Sequence, residues 1–161
     1  MALLIQPYET QHHEQLVALS LRAWAPVFSQ LQPAVAQYVY NAFYPNGWQE
    51  RQRRDIESLL KGEADKIWVA IRDGDLVGWV GIRLHQEDSM GEIYILAVDP
   101  EAQRQSVARS LIEASFELMR KAGMKIVMVE TGDDPGHEPS RATYEKAGFE
   151  RWPVARYFRE L

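Results

Sequence analysis

The sequence predicts a single domain, residues 1–161, of the α/β (α+β) class. Helix-like segments fill residues 10–61, and alternating apolar strands with a hairpin turn at Asp73-Gly74-Asp75 follow them. A strand–helix–strand unit then runs from residue 93 to residue 129. Such a unit requires a parallel strand pair joined by a right-handed crossover, whereas the hairpin joins antiparallel strands. The predicted central sheet is therefore mixed.

The predicted helices are marked by caps and by apolar periodicity. Thr10 can cap the first helix, Pro33 can start the second, Pro45-Asn46-Gly47 ends it, and Gly123 lies where a glycine ends the fourth. The fourth helix also has an apolar face, made of Ala108, Leu111, Ile112, Ser115, Met119 and Ala122. The predicted helices span residues 10–24, 33–44, 49–61, 102–122 and 140–147.

The predicted strands are short apolar runs that end at turn residues. Two of them flank the hairpin turn, and another ends at Asp99-Pro100. The first 60 residues contain one strand, and the remaining strands lie in the second part of the chain. The predicted strands span residues 3–8, 66–72, 76–85, 91–98 and 125–130, with one or two more within residues 149–158.

The composition is that of an ordinary globular protein, with 46% hydrophobic and 25% charged residues. There is no cysteine, which excludes disulfides and cysteine nucleophiles, and the four histidines show no metal-ligand spacing, so no metal is expected. The formal net charge of −5 argues against nucleic acid as a partner and fits small cationic ligands. No apolar run is long enough for a membrane span, and residues 1–5 lack the basic start of a signal peptide. We therefore expect a cytoplasmic protein without a membrane partner.

The segment after the strand at residues 91–98 has the features of a phosphate site. The strand ends at Asp99-Pro100, and a short polar turn opens directly into the fourth helix. The first N–H groups of a helix have no internal partner, and the helix dipole adds partial positive charge there. A pyrophosphate fits such a site, and the small residues Ser106 and Ala108 let it approach the backbone. The alternative is a crossover helix that binds no ligand.

Two motifs carry a resemblance to a known family. The turn reads Gln103-Arg104-Gln105-Ser106-Val107-Ala108, and a later helix reads Tyr144-Glu145-Lys146-Ala147-Gly148-Phe149. The first is similar to the acetyl-CoA loop, and the second to the closing motif, of the Gcn5-related N-acetyltransferase (GNAT) family. The preceding His137-Glu138-Pro139-Ser140-Arg141 resembles a variant of the same region, in which His137 is expected to cap or order the helix at Ser140. The resemblance covers residues 66–158.

The resemblance implies a fold and a cosubstrate. The fold would be a mostly antiparallel mixed sheet with a splayed parallel strand pair and helices on both faces. The pantetheine arm of acetyl-CoA would enter between the splayed strands, and the N–H groups of residues 104–108 would hold the pyrophosphate. The implied cofactor-binding residues are Leu96, Ala97, Val98, Gln103, Arg104, Gln105, Ser106, Val107 and Ala108.

Ser106 departs from the family pattern, which has glycine at this position. A helix start does not require a positive φ, so we expect serine to be sterically acceptable there. Its hydroxyl could donate to a phosphate, or its Cβ could crowd the phosphate.

The resemblance also assigns two proton-transfer roles. Loss of the thiolate leaving group benefits from a proton donor, and Tyr144 is the candidate by its motif position. The alternative is a tyrosine that packs on CoA and hydrogen-bonds the sulfur without transferring a proton. The attacking amine must lose a proton, and Glu92 matches the position of a glutamate base in some members. The alternative for Glu92 is a solvated carboxylate at a strand start.

The implied function is an acetyl-CoA-dependent N-acetyltransferase, in which a primary amine of a small molecule or peptide attacks the thioester directly. A homodimer is possible. The alternative from a different class is a non-catalytic acyl-CoA sensor or interaction module on the same fold. Tyr144 favours the enzyme, whereas Ser106 favours the sensor.

Overall fold

The computed structural model describes residues 2–161, and within this range the chain forms five strands and five α-helices. Short 3₁₀ turns separate several of them. In chain order the elements are β1 (Leu4–Pro7), α1 (His13–Ala34), α2 (Gln37–Phe43), α3 (Trp48–Gly62), β2 (Ile67–Arg72), β3 (Asp75–His85), β4 (Met90–Val98), α4 (Val107–Lys121), β5 (Ile126–Val129) and α5 (Glu138–Lys146).

The five strands form one mixed sheet in the order β1-β2-β3-β4-β5. Neighbouring strands are antiparallel except β4 and β5, which are parallel and joined by α4. The mixed α/β class, the hairpin and the parallel pair predicted from the sequence are confirmed.

Helices cover both faces of this sheet. On one face, α1 and α3 place Leu16 and Ile56 against Trp79, each at most 1% exposed. Trp79 donates its indole N–H to Ser20 Oγ at 2.8 Å, so its one polar atom is satisfied in the core. On the other face, α4 packs Leu111 and its apolar neighbours against β3 and β4. The sheet is thus buried between two separate cores.

The first helix is longer than predicted. It continues beyond Trp24, through Pro26 and Pro33, and ends at Ala34, so Pro33 ends a helix instead of starting one. Each internal proline removes one backbone hydrogen bond. Packing compensates, because Phe28 in this extension is only 6% exposed and stacks on Trp48 with ring centroids 4.6 Å apart.

Two other predictions differ from the structure. The fourth helix starts at Val107 and not at residue 102, because Arg104 and Ser106 adopt positive φ angles that interrupt the helix. No strand forms within residues 149–158, where Pro153 removes a ladder donor from the middle of the segment. None of the helices described between residues 2 and 161 is both long and apolar enough to cross a membrane.

Candidate active site

The parallel strands β4 and β5 separate halfway along β4. Their pairing runs from Met90 with Ile126 to Ile93 with Val129, but β4 continues to Val98. The sheet edge of β4 that faces β5 therefore opens after Ile93. Alternate residues of a strand direct their backbone N–H and C=O groups to the same edge. The backbone groups of Leu96 and Val98 on this edge are therefore available to an extended ligand. Ala97 lies between them.

A β-bulge lies where the strands begin to separate. Gly81 pairs with Ile95, while its neighbour Ile82 pairs with Ile93, so Tyr94 is an extra residue in β4. A side chain at Gly81 would collide with Ile95, since its Cβ would come within 2.9 Å of Ile95 Cγ2. The bulge re-aims the side chains that follow it, as bulges beside active sites commonly do.

The start of α4 lies next to the open end of β4. A Cβ at Gly78 on β3 would come within 3.0 Å of both Ala97 O and the Val107 side chain, which shows how closely the helix start approaches the sheet. Within the described part of the chain, the backbone N–H groups of residues 104–108 donate to no other group. They form a cluster of free donors at the positive end of a helix dipole.

Side chains from other elements hold the turn in place. Arg72, at the end of β2, donates to Gln105 Oε1 at 2.6 Å, and Gln105 in turn donates to Glu101 O at 2.9 Å. Gln103 Nε2 lies 3.5 Å from Val98 O, at the limit of a hydrogen bond. These contacts fix the turn relative to the sheet, so the free N–H groups keep one position.

Asp99 anchors the same turn on its other side. Its carboxylate accepts from the Glu101 N–H at 3.0 Å and from the Arg22 guanidinium of α1. Burial raises the pKa of Asp99, but the hydrogen bonds from Arg22 and Glu101 outweigh it, and the pKa lies below its ordinary value. The carboxylate is therefore ionised at neutral pH.

Ser106 adopts a left-handed conformation, with φ 64° and ψ 10°. The expectation that this position does not need a positive φ is wrong. Arg104 also has a positive φ of 61°, so the turn contains two non-glycine residues in the region that glycine favours. This conformation costs an L-residue about 1–2 kcal/mol. The side chain of Ser106 makes no capping hydrogen bond that would offset the cost.

Ser106→Gly should therefore raise the free energy of unfolding by about 0.5–1 kcal/mol. Glycine relieves the backbone strain of the folded state, but it also gives the unfolded chain more freedom, which offsets part of the gain. Urea denaturation without ligand measures the change. Ser106→Ala is the matched control, because alanine keeps the strain and removes only the hydroxyl, and it should give no gain. Equal stability of the glycine and alanine variants would contradict a strained φ at this position.

Tyr144 projects from α5 into the core on the α4 side of the sheet. It packs edge-on against Phe149, with centroids 5.8 Å apart, and Phe149 contacts Phe116 of α4. Burial raises the pKa of Tyr144 to about 12. Its hydroxyl has no hydrogen-bond partner within residues 2–161. Tyr144 is thus a protonated, unpaired donor on the α4 side.

Glu92 lies one residue before the last β4–β5 pair. Its side chain is 16% exposed, and its Oε2 lies 2.7 Å from His85 Nε2. Its strand neighbour Arg83 stacks on the Tyr94 ring at 3.5 Å and donates to both oxygens of Glu63 at 2.9 and 2.8 Å. The Glu92 carboxylate is therefore only partly exposed and has one hydrogen-bond partner within residues 2–161, His85.

Glu92 and Tyr144 lie on opposite faces of the sheet. Ile93 belongs to the core on the α4 face, as does Tyr144, whereas the neighbouring Glu92 points to the face covered by α3. A group held between the separated strands would be accessible from both sides. The turn and the open edge of β4 are therefore adjacent, and Glu92 and Tyr144 lie on the two faces of the same sheet.

Other side chains of interest serve the surrounding structure. His137 Nδ1 lies 2.6 Å from Asp134 Oδ1, and Arg141 donates to Gly132 O and Asp134 O at 2.7 Å each, so the predicted ordering role of His137 acts on the loop before α5. Among residues 2–161 no group of three or more His, Asp and Glu side chains is arranged to hold a metal ion.

Sequence reasoning missed Arg83 and His85. Arg83 and His85 are two residues apart on β3 and therefore lie on the same face of the sheet. If β3 and β4 are paired across the short turn at residues 86–89, this face also carries Glu92 and Tyr94, which would have suggested the contact. The signal was present, because the pairing of Arg83 with Glu92 lies between this turn and the bulge and requires only the position of the turn to be known.

The fold agrees with the comparisons with known proteins. The model of the acetyltransferase (GNAT) family matches residues 35–149, and the chain belongs to this family.

Among relatives, a mycothiol acetyltransferase from Kocuria rhizophila is 30% identical over 155 residues, which cover 93% of this chain and 46% of that protein. The chain spans less than half the length of the mycothiol acetyltransferases that it matches. The fold is similar to that of PaiA N-acetyltransferase from Thermoplasma acidophilum in complex with coenzyme A, with a TM-score of 0.70, 16% identity and coverage of 96% and 94% of the two chains. It is also similar to that of the ribosomal-protein-S18-alanine N-acetyltransferase from Escherichia coli, with a TM-score of 0.67, 19% identity and coverage of 94% and 80%.

Proposed function

We propose that this chain is a cytoplasmic N-acetyltransferase that moves the acetyl group of acetyl-CoA to a primary amine of a small molecule or peptide by direct attack. The observation that carries the proposal is that, within the described residues, the edge of β4 is unpaired beyond Ile93 and ends beside a turn with free N–H groups. Glu92 and Tyr144 lie on the two faces of the same sheet. Membership of the GNAT family supports the same reaction.

Acetyl-CoA would bind along the open edge of β4. The pyrophosphate would accept hydrogen bonds from the N–H groups of residues 104–108, where the helix dipole favours negative charge. The pantetheine amides would pair with Leu96 and Val98 as an added strand does, and the thioester would then lie near the bulge at Tyr94. Gln103 and Gln105 keep the turn in the required position through their contacts with Val98 and Arg72.

Tyr144 would stabilise the departing sulfur by donating a hydrogen bond. Its pKa of about 12 keeps the phenol protonated throughout the physiological range. A thiol has an ordinary pKa of about 8.5, so complete proton transfer from this phenol to the thiolate is unfavourable by roughly three orders of magnitude. Hydrogen-bond donation therefore fits Tyr144 better than full general acid catalysis.

Glu92 would remove the proton from the attacking amine. A lysine-type amine has a pKa of about 10.4, so almost all of it is protonated at neutral pH. Glu92 stands one residue from the point where the strands separate, which places it about 3 Å along the strand from the opening. Glu92 would take one proton from the ammonium group, and the amine lone pair would then attack the thioester carbonyl. As the C–S bond breaks, the second nitrogen proton would pass to the departing thiolate, which leaves an amide and the CoA thiol.

The acceptor side fits a cationic amine. Glu92 brings a carboxylate to this face, where Glu63 is paired with Arg83, and the whole chain has a net charge of −5. Proteins matched in sequence or fold are named for mycothiol, the alanine of ribosomal protein S18 and aminoglycosides. We include these three acceptor classes in the proposal.

A homodimer is part of the same proposal. Large hydrophobic side chains are exposed in the segment after α5, including Trp152 at 83% and Tyr157 at 90%. Exposed apolar groups of this size commonly mark association surfaces. Sedimentation at micromolar concentration tests the oligomeric state, and a monomer at all concentrations would contradict the dimer.

Acetyl-CoA should raise the melting temperature by about 5–10 °C at one hundred times its Kd, since a ligand that binds only the folded state stabilises it. Differential scanning fluorimetry measures the shift, and calorimetry confirms binding. An assay of CoA release over desacetyl mycothiol, aminoglycosides and an alanine-initiated peptide then tests the transfer. Absence of both shift and binding at millimolar acetyl-CoA would overturn the proposal, and binding without turnover of any amine would favour the acyl-CoA sensor.

A further inference from the structure

A histidine contacts the candidate base directly. His85 is the last residue of β3, and its Nε2 lies 2.7 Å from Glu92 Oε2. Its side chain is 39% exposed, compared with 16% for Glu92, so the imidazole lies between the carboxylate and the solvent. Glu92 Oε1 has no partner within residues 2–161, which leaves this second oxygen free for an amine or a water molecule.

The direction of this hydrogen bond follows from the chemistry of the two groups. An ionised carboxylate has no proton to give, so the Nε2–H of His85 is the donor. The bond fixes Oε2 and thereby the orientation of the whole carboxylate, including Oε1, which is unpaired in the described part of the chain. A neutral imidazole does this without adding charge.

Protonation of the imidazole changes the situation. An imidazolium puts a positive charge against the carboxylate, and an adjacent opposite charge favours the ionised form of a carboxyl group. The carboxylate then becomes a weaker base while its orientation stays the same. Imidazole is the side chain that ordinarily changes its charge between pH 5 and pH 8.

We propose that His85 is a positioning residue for Glu92 and that protonation of its imidazole switches this base off. The inference rests on the proposed acetyl transfer and adds to it a residue and a pH-dependent control. Of the side-chain types beside the base, imidazole is the one that ordinarily changes its charge in this range. The charged and titratable groups around the pair are Arg83 on β3, Tyr94 on β4, Glu63 after α3, and Glu87 and Asp88 in the turn after β3.

Two variants separate position from charge. His85→Gln keeps an N–H donor but cannot be protonated, whereas His85→Leu keeps bulk and loses the donor. We compare kcat/KM of each variant with that of the wild type between pH 5.5 and pH 8, using acetyl-CoA and the same amine. The ionisation of the substrate cancels in the ratio of variant to wild type.

The ratio for His85→Gln should be within about threefold of unity at pH 8 and should rise roughly tenfold by pH 5.5, because only the wild type loses its base. The ratio for His85→Leu should be low, by roughly tenfold or more at pH 8, since the carboxylate has lost its orientation. A purely structural role would lower both ratios by the same factor at every pH, and a flat ratio for His85→Gln would overturn the proposal.

Imidazole NMR provides a readout that does not depend on turnover. The His85 signals are assigned by their loss in His85→Gln, and Glu92→Gln should move their titration midpoint to lower pH because the anionic partner is gone. An unchanged midpoint would show that the pair does not form and would overturn the inference. If Glu92→Gln shifts the His85 midpoint but the wild type acetylates no amine, the contact between the two residues exists and the proposed acetyl transfer is wrong. The proposed switch of the base would then be wrong as well.

Discussion

Replacement of Tyr144 by phenylalanine should lower kcat by roughly 10²-fold or more while leaving acetyl-CoA affinity nearly unchanged. The change removes only a hydroxyl that has no partner within the described residues, so the contact with Phe149 and the fold should persist. Because the hydroxyl would act only on the developing thiolate, its loss should raise the barrier without weakening the ground state. Steady-state kinetics with calorimetric affinity for acetyl-CoA measure both quantities.

Tyr157→Phe is the matched control, since it makes the same chemical change at a side chain that is 90% exposed. Its kinetics should equal those of the wild type. Wild-type rates in Tyr144→Phe would refute any role in leaving-group stabilisation. A fall in acetyl-CoA affinity as large as the fall in kcat would show instead that Tyr144 mainly binds the cosubstrate.

The parts of the fold that could be predicted are those governed by local sequence. The β2–β3 hairpin follows from a turn whose Asp73 and Gly74 both adopt positive φ angles, which these residue types accept more readily than most. The parallel pair follows from the handedness of a strand–helix–strand connection, and the end of α4 from Gly123 with φ 84°. In each case a short segment determines its own conformation.

The parts that could not be predicted depend on distant residues. The continuation of α1 past Pro26 depends on the stacking of Phe28 on Trp48 from α3, which no local rule contains. The left-handed φ of Ser106 depends on how the turn joins β4 to a helix that closely approaches Gly78. Family resemblance identified the position of Ser106 but not its backbone conformation.

The candidate site shows the same division. Tyr144 and the turn at residues 103–108 were located by motifs, because their neighbours in sequence are also their neighbours in space. The partners of Glu92 were not, since His85 and Arg83 meet it only through the register of β3 on β4. That register is set across the turn at residues 86–89, where His85 pairs with Met90 and Arg83 pairs with Glu92, so these contacts depend on two strands at once.

Replacement of Glu92 by glutamine should lower kcat/KM for a lysine-type amine by about 10²-fold near pH 7, because the shape is kept and the base is removed. The Glu92 carboxylate lies beside the opening and only 16% exposed, so water should replace it poorly. The loss should shrink as the pH approaches the pKa of the amine, about 10.4, since the substrate then loses its proton without help. It should also be smaller for less basic amines at fixed pH.

Glu113→Gln is the control for this last change, because it removes the same charge from a side chain on α4 that is 59% exposed. It should leave kcat/KM and its pH dependence unaltered. Profiles of kcat/KM between pH 7 and pH 10, with two amines of different basicity, distinguish the possible roles of Glu92. A loss that stays constant with pH and with amine basicity would mean that Glu92 positions the acceptor without accepting its proton. A loss that declines in parallel with the protonated fraction of each amine is the result that a general base requires, because the carboxylate is needed only while the substrate carries the extra proton.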